Sequence, residues 1–453
     1  MDNIRILLDY IQTANLLPSS ELHHLNNIVN NNNFALPIIL QEHVIFIYDD
    51  NKNHQIIKIT GDFNQWQTNF DMENLEGTTL YYKIFKFPSD SRFDYRFIIE
   101  NEWIIDPNNH HLSHGGFGHN SEIKMPNFKE NVYLNYVHTN NHGTIIYHLI
   151  QSNITNQEYK IKVYTPVGYV KNNNYPVLIF HDGFEHIDYS KANNQIDNLI
   201  NENKIIPPLA IFIKPYDRNK EYAEENRELY TKFFLEELIP FLEYNYNLNN
   251  STVYHVFASD LGANISLYIA HNSSKFKNFY FQSPQVWPNN FEVLNLIKPL
   301  ANDIEINILY GSYEISKDNN YEKFFNLLHE LNIKHDITSY PLGHGWGLWK
   351  NTLYQLLIKA LDKSCLANPS DCKLFVNYNE ESNEAEIEYI LNSTYEVSIN
   401  LFNLMGNLLL PIFNGIKDKG KHKITIKFNE LPKATYIVSM KIQNKTFIQK
   451  ITL

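Results

Sequence analysis

Cysteine is nearly missing from this chain. Only Cys365 and Cys372 occur among 453 residues, which excludes a disulfide scaffold and allows one local bridge at most. Glycine and proline are sparse too, at 16 and 18, so collagen-like and linker-dominated chains are out. An excess of positive charge is also lacking. With 38 basic and 50 acidic residues the formal charge is −12, the opposite of a nucleic-acid binder's footprint, and no nucleic-acid partner is expected. No apolar run reaches about 18 residues, so no transmembrane segment is expected. The opening MDNIRILLDYIQTANLLPSSELHHLNN has no basic start, apolar core or small-residue cleavage site. It does not read as a secretory signal, which suggests a cytoplasmic protein or a numbered chain lacking its leader. What the chain does have is apolar material. Hydrophobic residues make up 43% and aromatics 14%, too much for wholesale disorder. The length predicts about three domains.

The rhythm of the sequence changes along the chain. Residues 1–35 show a helical spacing of Ile4, Leu7, Leu8 and Ile11, then Leu16 and Leu17, ended by the Asn-rich run at 30–33. Residues 36–130 carry short aromatic and β-branched runs, HVIFIYDD, QIIKITGDF, TLYYKIFKF, FDYRFIIE and EWIID, and predict an all-β sandwich. Over 143–362, apolar strands such as PVLIFHD, LAIFIKP and TVYHVFA alternate with amphipathic helices. That alternation predicts an α/β module with a doubly wound, mostly parallel sheet covered on both faces. Strand-like runs return over 375–453 as a second all-β sandwich. His110, His111, His114 and His119 cluster in an Asn- and Gly-rich segment. No carboxylate or cysteine accompanies them, so they read as solvated loop histidines and no metal is expected.

The central module holds a strand-to-helix turn, Ala258-Ser259-Asp260-Leu261-Gly262-Ala263. It has the layout of a nucleophile elbow, G-x-nucleophile-x-G, where small residues flank a sharp turn. Anchored on Gly262, the nucleophile slot holds Asp260 and the first glycine slot holds Ala258. Glu314 follows the strand EINILYG, and His344 sits in GHGW after the next strand. The order nucleophile, acid, histidine is that of a hydrolase triad. Backbone oxyanion donors are expected at Gly183 and Phe184, in the turn His181-Asp182-Gly183-Phe184, and at Leu261. Asp217 and Arg218 read as an ion pair shaping a loop, and Trp346 and Trp349 as packing residues.

Over residues 143–362 the chain resembles the enterochelin-esterase/esterase D family. The resemblance rests on PVLIFHDG, IPPLAIFI, Asp217-Arg218 with Glu221-Tyr222, EELIPFLE, SDLGANISLYIA and GHGWGLW. It implies an α/β-hydrolase fold that cleaves esters of siderophores, feruloyl sugars or other acyl groups, with no cofactor. The family's nucleophile is serine, and Asp260 departs from it. A carboxylate there is already an anion, pairs with a protonated His344 and raises its pKa. Acyl transfer needs a hydroxyl or thiol, so impaired hydrolysis or a non-catalytic relative is the favoured reading. Two alternatives stand beside it: Ser259 as a shifted nucleophile, and Asp260 attacking an alkyl carbon as in dehalogenases and epoxide hydrolases.

In the N-terminal module, Gly61-Asp62-Phe63-Asn64-Gln65-Trp66, Phe93-Asp94-Tyr95-Arg96-Phe97 and Glu102-Trp103 resemble the glycogen-binding type of carbohydrate module, as in the β subunit of AMP-activated kinase. The resemblance implies a sugar platform of Trp66, Trp103 and Arg96, with Asn120 as a further polar contact. Such sandwiches also precede esterases of this family without binding sugar, and packing against the catalytic module is preferred here. At the C-terminus, Phe402-Asn403-Leu404-Met405-Gly406, the Lys419-Gly420-Lys421-His422 turn and Tyr436 resemble the type A sorting domain of the Por (type nine) secretion system. That likeness implies a Bacteroidetes-type source, a secreted or surface-attached protein and the secretion machinery as partner. A small ester or glycan is the expected ligand.

Overall fold

The computed structural model describes residues 2–453 except 31–34, 53, 55, 117, 137–140, 172, 250–251, 315–319, 363–371, 380–381, 393–394, 405, 429–430 and 443–444. The chain divides into two compact units, one of residues 1–202 and 207–360, the other of 203–206 and 361–453. Cys365 lies outside the described residues, while Cys372 Sγ donates to Asn392 Oδ1 at 3.2 Å.

The first unit opens with two helices, Asp2–Thr13 and Ser19–Asn30. Leu7, Leu8, Ile11 and Leu17 come from the stripe read in the sequence, and Leu25 joins them. They close over Ile38, Ile45, Ile47, Leu80 and Tyr82 of the following sheet. That sheet has four strands and faces one of five. Between them Phe46, Ile59, Phe93, Tyr95 and Phe97 form an aromatic core. In the strand Arg92–Ile99 the alternate residues Arg92 and Asp94 would face water in an isolated sandwich. Both are buried, at 2% and 4% exposure: Gly347 and Leu342 of the next module lie against Arg92, and Ser113 and Asn120 of the sandwich close on Asp94.

The central sheet has eight strands. In spatial order they are Thr144–Gln151, Glu158–Thr165, Leu209–Lys214, Val177–Phe180, Tyr254–Ser259, Phe276–Gln282, Glu305–Gly311 and Lys334–Tyr340. The first two are antiparallel and the remaining six run parallel to one another. The middle strands Val177–Phe180 and Tyr254–Ser259 are buried at every position, as expected where helices cover both faces. A long helix runs from Arg227 to Tyr246 and widens to a π turn over Phe233–Leu238. That widening lies just ahead of Pro240, which has no N–H to donate. Among the described residues no helix is long and apolar enough to cross a membrane.

The second unit is a sandwich of a three-stranded and a four-stranded sheet. Ile387, Tyr389, Val397, Ile399, Leu401, Val438 and Met440 alternate inward to form its core. Tyr436 Oη donates to the Pro432 carbonyl at 2.7 Å, tying down the start of the strand Thr435–Ile442.

Candidate active site

The turn after Tyr254–Ser259 puts Asp260 at φ 54°, in the left-handed region that costs most residues energy. Two backbone bonds hold it there: Asp260 N–H donates to the Gln282 carbonyl at 3.1 Å, and Gln285 N–H donates to the Asp260 carbonyl at 3.0 Å. The helix Gly262–Asn272 then begins. A Cβ on Gly262 would lie 3.1 Å from the Ala258 Cβ. The alanine in the first glycine slot is thus accommodated because position 262 carries no side chain.

Glu314 and His344 converge on this turn from two neighbouring strands. His344 Nδ1 is 3.0 Å from Glu314 Oε2, and His344 Nε2 is 3.4 Å from Asp260 Oδ1. Glu314 is held in turn by Ser283 Oγ–H at 2.6 Å, by Gly311 N–H at 2.7 Å and by the Tyr321 hydroxyl. Trp349 Nε1–H donates to Ser283 Oγ at 2.9 Å, so this tryptophan does more than fill space.

Arg218 completes the constellation. Its guanidinium forks onto Asp182, with Nε and Nη2 each 2.9 Å from a carboxylate oxygen, and Nη1 reaches Asp260 Oδ2 at 3.1 Å. The expected Asp217–Arg218 ion pair is therefore replaced. Asp217 instead caps the short helix Arg218–Tyr222 by accepting from Lys220 N–H at 3.3 Å. Sequence reading missed Asp182 as Arg218's partner because the two lie on different strand ends, and nothing local marks the pairing.

Electrostatics follow from these contacts. Burial works against a charged His344, but Glu314 and Asp260 on its two nitrogens outweigh it and hold its pKa well above the ordinary histidine value. Burial likewise pushes the Asp260 carboxyl up. The His344 hydrogen bond and charge, Arg218 and the Leu261 N–H outweigh that, leaving it well below the usual carboxylate range. For Asp182, burial wins over Arg218 and the pKa is raised.

The other expected residues fall as follows. Ser259 ends the strand with its hydroxyl buried and 3.4 Å from His186 Nε2; the one-residue shift thus leads to His186, not His344. Burial pushes His186 down to about 3. Gly183 starts the helix Gly183–Asp188 and lies so close to the next strand that a Cβ would come within 2.4 Å of Phe212 Cα. The Phe184 ring lies under Lys162 Nζ at 4.1 Å. The Leu261 N–H, expected as an oxyanion donor, helps to hold the Asp260 carboxyl below the usual range.

On the sandwich, the Trp66 and Trp103 rings stack with centroids 6.0 Å apart and planes 19° from parallel. Trp103 remains 40% exposed. Arg96 Nε–H donates to Asn120 Oδ1 at 2.8 Å and Nη2–H to the His119 carbonyl at 2.6 Å. His114 stacks on Tyr189 at 4.4 Å and contacts His119 at 4.7 Å. Among the described residues no group of three or more His, Cys, Asp or Glu side chains is placed to hold a metal ion.

Comparison with known proteins gives two family matches. Residues 152–360 match the Esterase family model, and residues 44–124 match the glycogen recognition site of AMP-activated protein kinase. A search of curated protein sequences finds no match. Among solved structures, the enterochelin esterase of Shigella flexneri is 17% identical, covering 71% of this chain and 93% of its own, at a TM-score of 0.59. The ferric enterobactin esterase of Salmonella typhimurium is 16% identical, covering 70% of this chain and 93% of its own, at 0.58. At this identity the likeness is one of fold. In sequence pattern and in fold, residues 152–360 are thus similar to the esterase family, and residues 44–124 are similar in sequence pattern to the glycogen-recognition module.

Proposed function

We propose that the elbow site is an α/β-hydrolase ester site that has lost most of its turnover. One observation carries this reading: the Asp260 carboxylate stands between His344 and Arg218, bonded to both. Acyl transfer begins when a neutral imidazole takes a proton from a hydroxyl. Here the nucleophile slot has no proton to give. The imidazole, bracketed by Asp260 and Glu314, is held in its charged form and is no base. The Leu261 N–H, which would stabilise an oxyanion, instead favours the charged Asp260 carboxylate.

The esterase match over 152–360 and the fold shared with enterobactin esterases support an esterase-type hydrolase as the origin of the site. Attack by Asp260 on an alkyl carbon is the weaker reading. Both Asp260 carboxylate oxygens are already engaged, Oδ1 by His344 and Oδ2 by Arg218, which blunts the carboxylate as a nucleophile. The test is turnover of p-nitrophenyl acetate and butyrate by the purified chain against His344→Ala. The expected result is equal, near-background rates. Robust turnover that vanishes in His344→Ala refutes the proposal.

For the sandwich, the glycogen-recognition match and the stacked Trp66–Trp103 pair support a glycan as its ligand. For the C-terminal module, the secretion-sorting reading rests on its sequence motifs alone.

A further inference from the structure

The acid and base of the elbow site are carried on two loops, and both loops sit on the N-terminal sandwich. Tyr313 directly precedes Glu314. Its ring meets Phe93 edge-on at 4.6 Å and belongs to the sandwich's aromatic core. Gly343 directly precedes His344. A Cβ there would lie 2.1 Å from Asp62 Cγ and 2.2 Å from Asp62 Cβ, so the Asp62 side chain rests on the bare Gly343 backbone. At Gly347, in the first turn of the helix Trp346–Leu361, a Cβ would lie 1.8 Å from Arg92 Nη1 and 2.3 Å from its Cζ. Arg92 also forms a parallel bridge with Leu342. The His344 loop is thus gripped on both sides by one buried charge cluster. In it Arg92 lies 2.7 Å from Glu122 and 4.0 Å from Asp62. Lys350, one turn further along the helix, reaches Glu122 at 3.6 Å.

The glycines in GHGWG therefore have a use the elbow alone does not require. Any side chain at 343 or 347 would collide with the sandwich. We propose that Asp62, Arg92 and Tyr313 are positioning residues for Glu314 and His344, so that the sandwich sets the geometry of a site lying in the next module. The clamp also has a handle on the outside. The half-buried Trp66 donates its indole N–H to Asp62 Oδ1 at 3.1 Å. A change at the Trp66 face reaches His344 through one intervening carboxylate and the backbone of Gly343. The inference goes beyond the ester-site reading and does not depend on turnover.

The experiment reads the His344 imidazole by NMR titration in the full chain. Gly343→Ala forces the loop off Asp62, and the His344 midpoint is expected to fall by about one pH unit, a tenfold change in its proton dissociation constant. Adding Asp62→Gly removes the obstructing side chain while Arg92 still holds the loop at Leu342 and Gly347, and is expected to move the midpoint part of the way back toward wild type. That rescue distinguishes positioning from general damage to the fold. Trp66→Phe keeps an aromatic ring at the site but removes the N–H donor together with part of the indole, and is expected to shift the His344 ring resonances while the chain stays folded. Should Gly343→Ala fail to fold, Trp66→Phe decides alone. Wild-type His344 resonances and midpoint in the folded variants overturn the proposal.

Discussion

Asp260 Oδ1 lies 3.4 Å from His344 Nε2, while the other ring nitrogen is 3.0 Å from Glu314. An imidazole between two carboxylates is stable as a cation. A serine in place of Asp260 would leave it one carboxylate and a hydroxyl, and a pKa in the working range of a base. The same three positions thus support either a proton relay or a fixed ion pair, and residue 260 selects between them.

The first prediction concerns pH. His344 is raised above its unfolded value of 6.5, so its contribution to stability is fully present below about pH 6.5 and is lost as pH rises through the folded value. Asp260 is depressed below 3.8, so its contribution is present above about pH 4 and is lost only as pH falls through its lower folded value. The thermal midpoint should therefore decline from about pH 6.5 upward. Asp260→Asn should flatten that decline and lower the His344 midpoint by about one unit or more. Calorimetry across pH and the NMR titration check both. An unchanged slope in Asp260→Asn would contradict the ion pair.

Arg218 neutralises two carboxylates, and Asp182 is only 7% exposed. Arg218→Met should cost about 1–3 kcal/mol in urea unfolding at pH 7.5. That is less than for a fully buried pair, because Arg218 itself is one-third exposed. The loss should shrink in acid, where Asp182, already raised by burial, takes up a proton and no longer needs the guanidinium. A loss that grows in acid would point to packing, not charge.

Glycan binding on the sandwich should run through the stacked indoles. Affinity electrophoresis in glycogen, starch and xylan is expected to retard the wild-type chain in at least one gel. Trp103→Ala should weaken that interaction by about 0.5–1.5 kcal/mol, the worth of one aromatic contact. No retardation in any gel would leave the sandwich as a positioning module only.

Much of this was legible in the sequence. Alternating strands, the α/β rhythm and the small residues around Asp260 report local constraints, which periodicity and turn chemistry capture. The convergence of Asp260, Glu314 and His344 follows from their places at the ends of parallel strands. Arg218 was misread because its neighbour Asp217 looked like its partner, whereas its carboxylates lie on other strand ends. The clamp of Asp62 and Arg92 on Gly343 and Gly347 was invisible for the same reason. A buried charge cluster and two distant glycines show no pattern until the chain folds. Even so, buried Arg92 left a trace. A strand with charged residues at alternate positions reads as half solvated, and only tertiary contact turns that face inward.

The last prediction is rescue of hydrolysis. Asp260→Ser places a hydroxyl where Oδ1 now meets His344 and removes one of the two carboxylates that keep the ring charged. His344 then falls toward the range of a general base, with Glu314 still orienting Nδ1. The Leu261 N–H no longer faces a carboxylate at 260 and can serve a developing oxyanion. Arg218 keeps its fork on Asp182, so no buried charge is stranded by the change. Asp260→Ser should therefore hydrolyse p-nitrophenyl butyrate about 100-fold or more above the wild type, and the gain should vanish when His344→Ala is added. If the folded variant stays inert, Ala258 is a poor culprit, since its Cβ already sits against the bare Gly262. The Asp182 carboxylate is the better one: it lies 3.8 Å from the position a Gly262 Cβ would take, close enough to oppose an oxyanion forming at the turn. Asp260→Ser with Asp182→Asn and Arg218→Met, which leaves no guanidinium without its carboxylates, would then be the variant to recover activity.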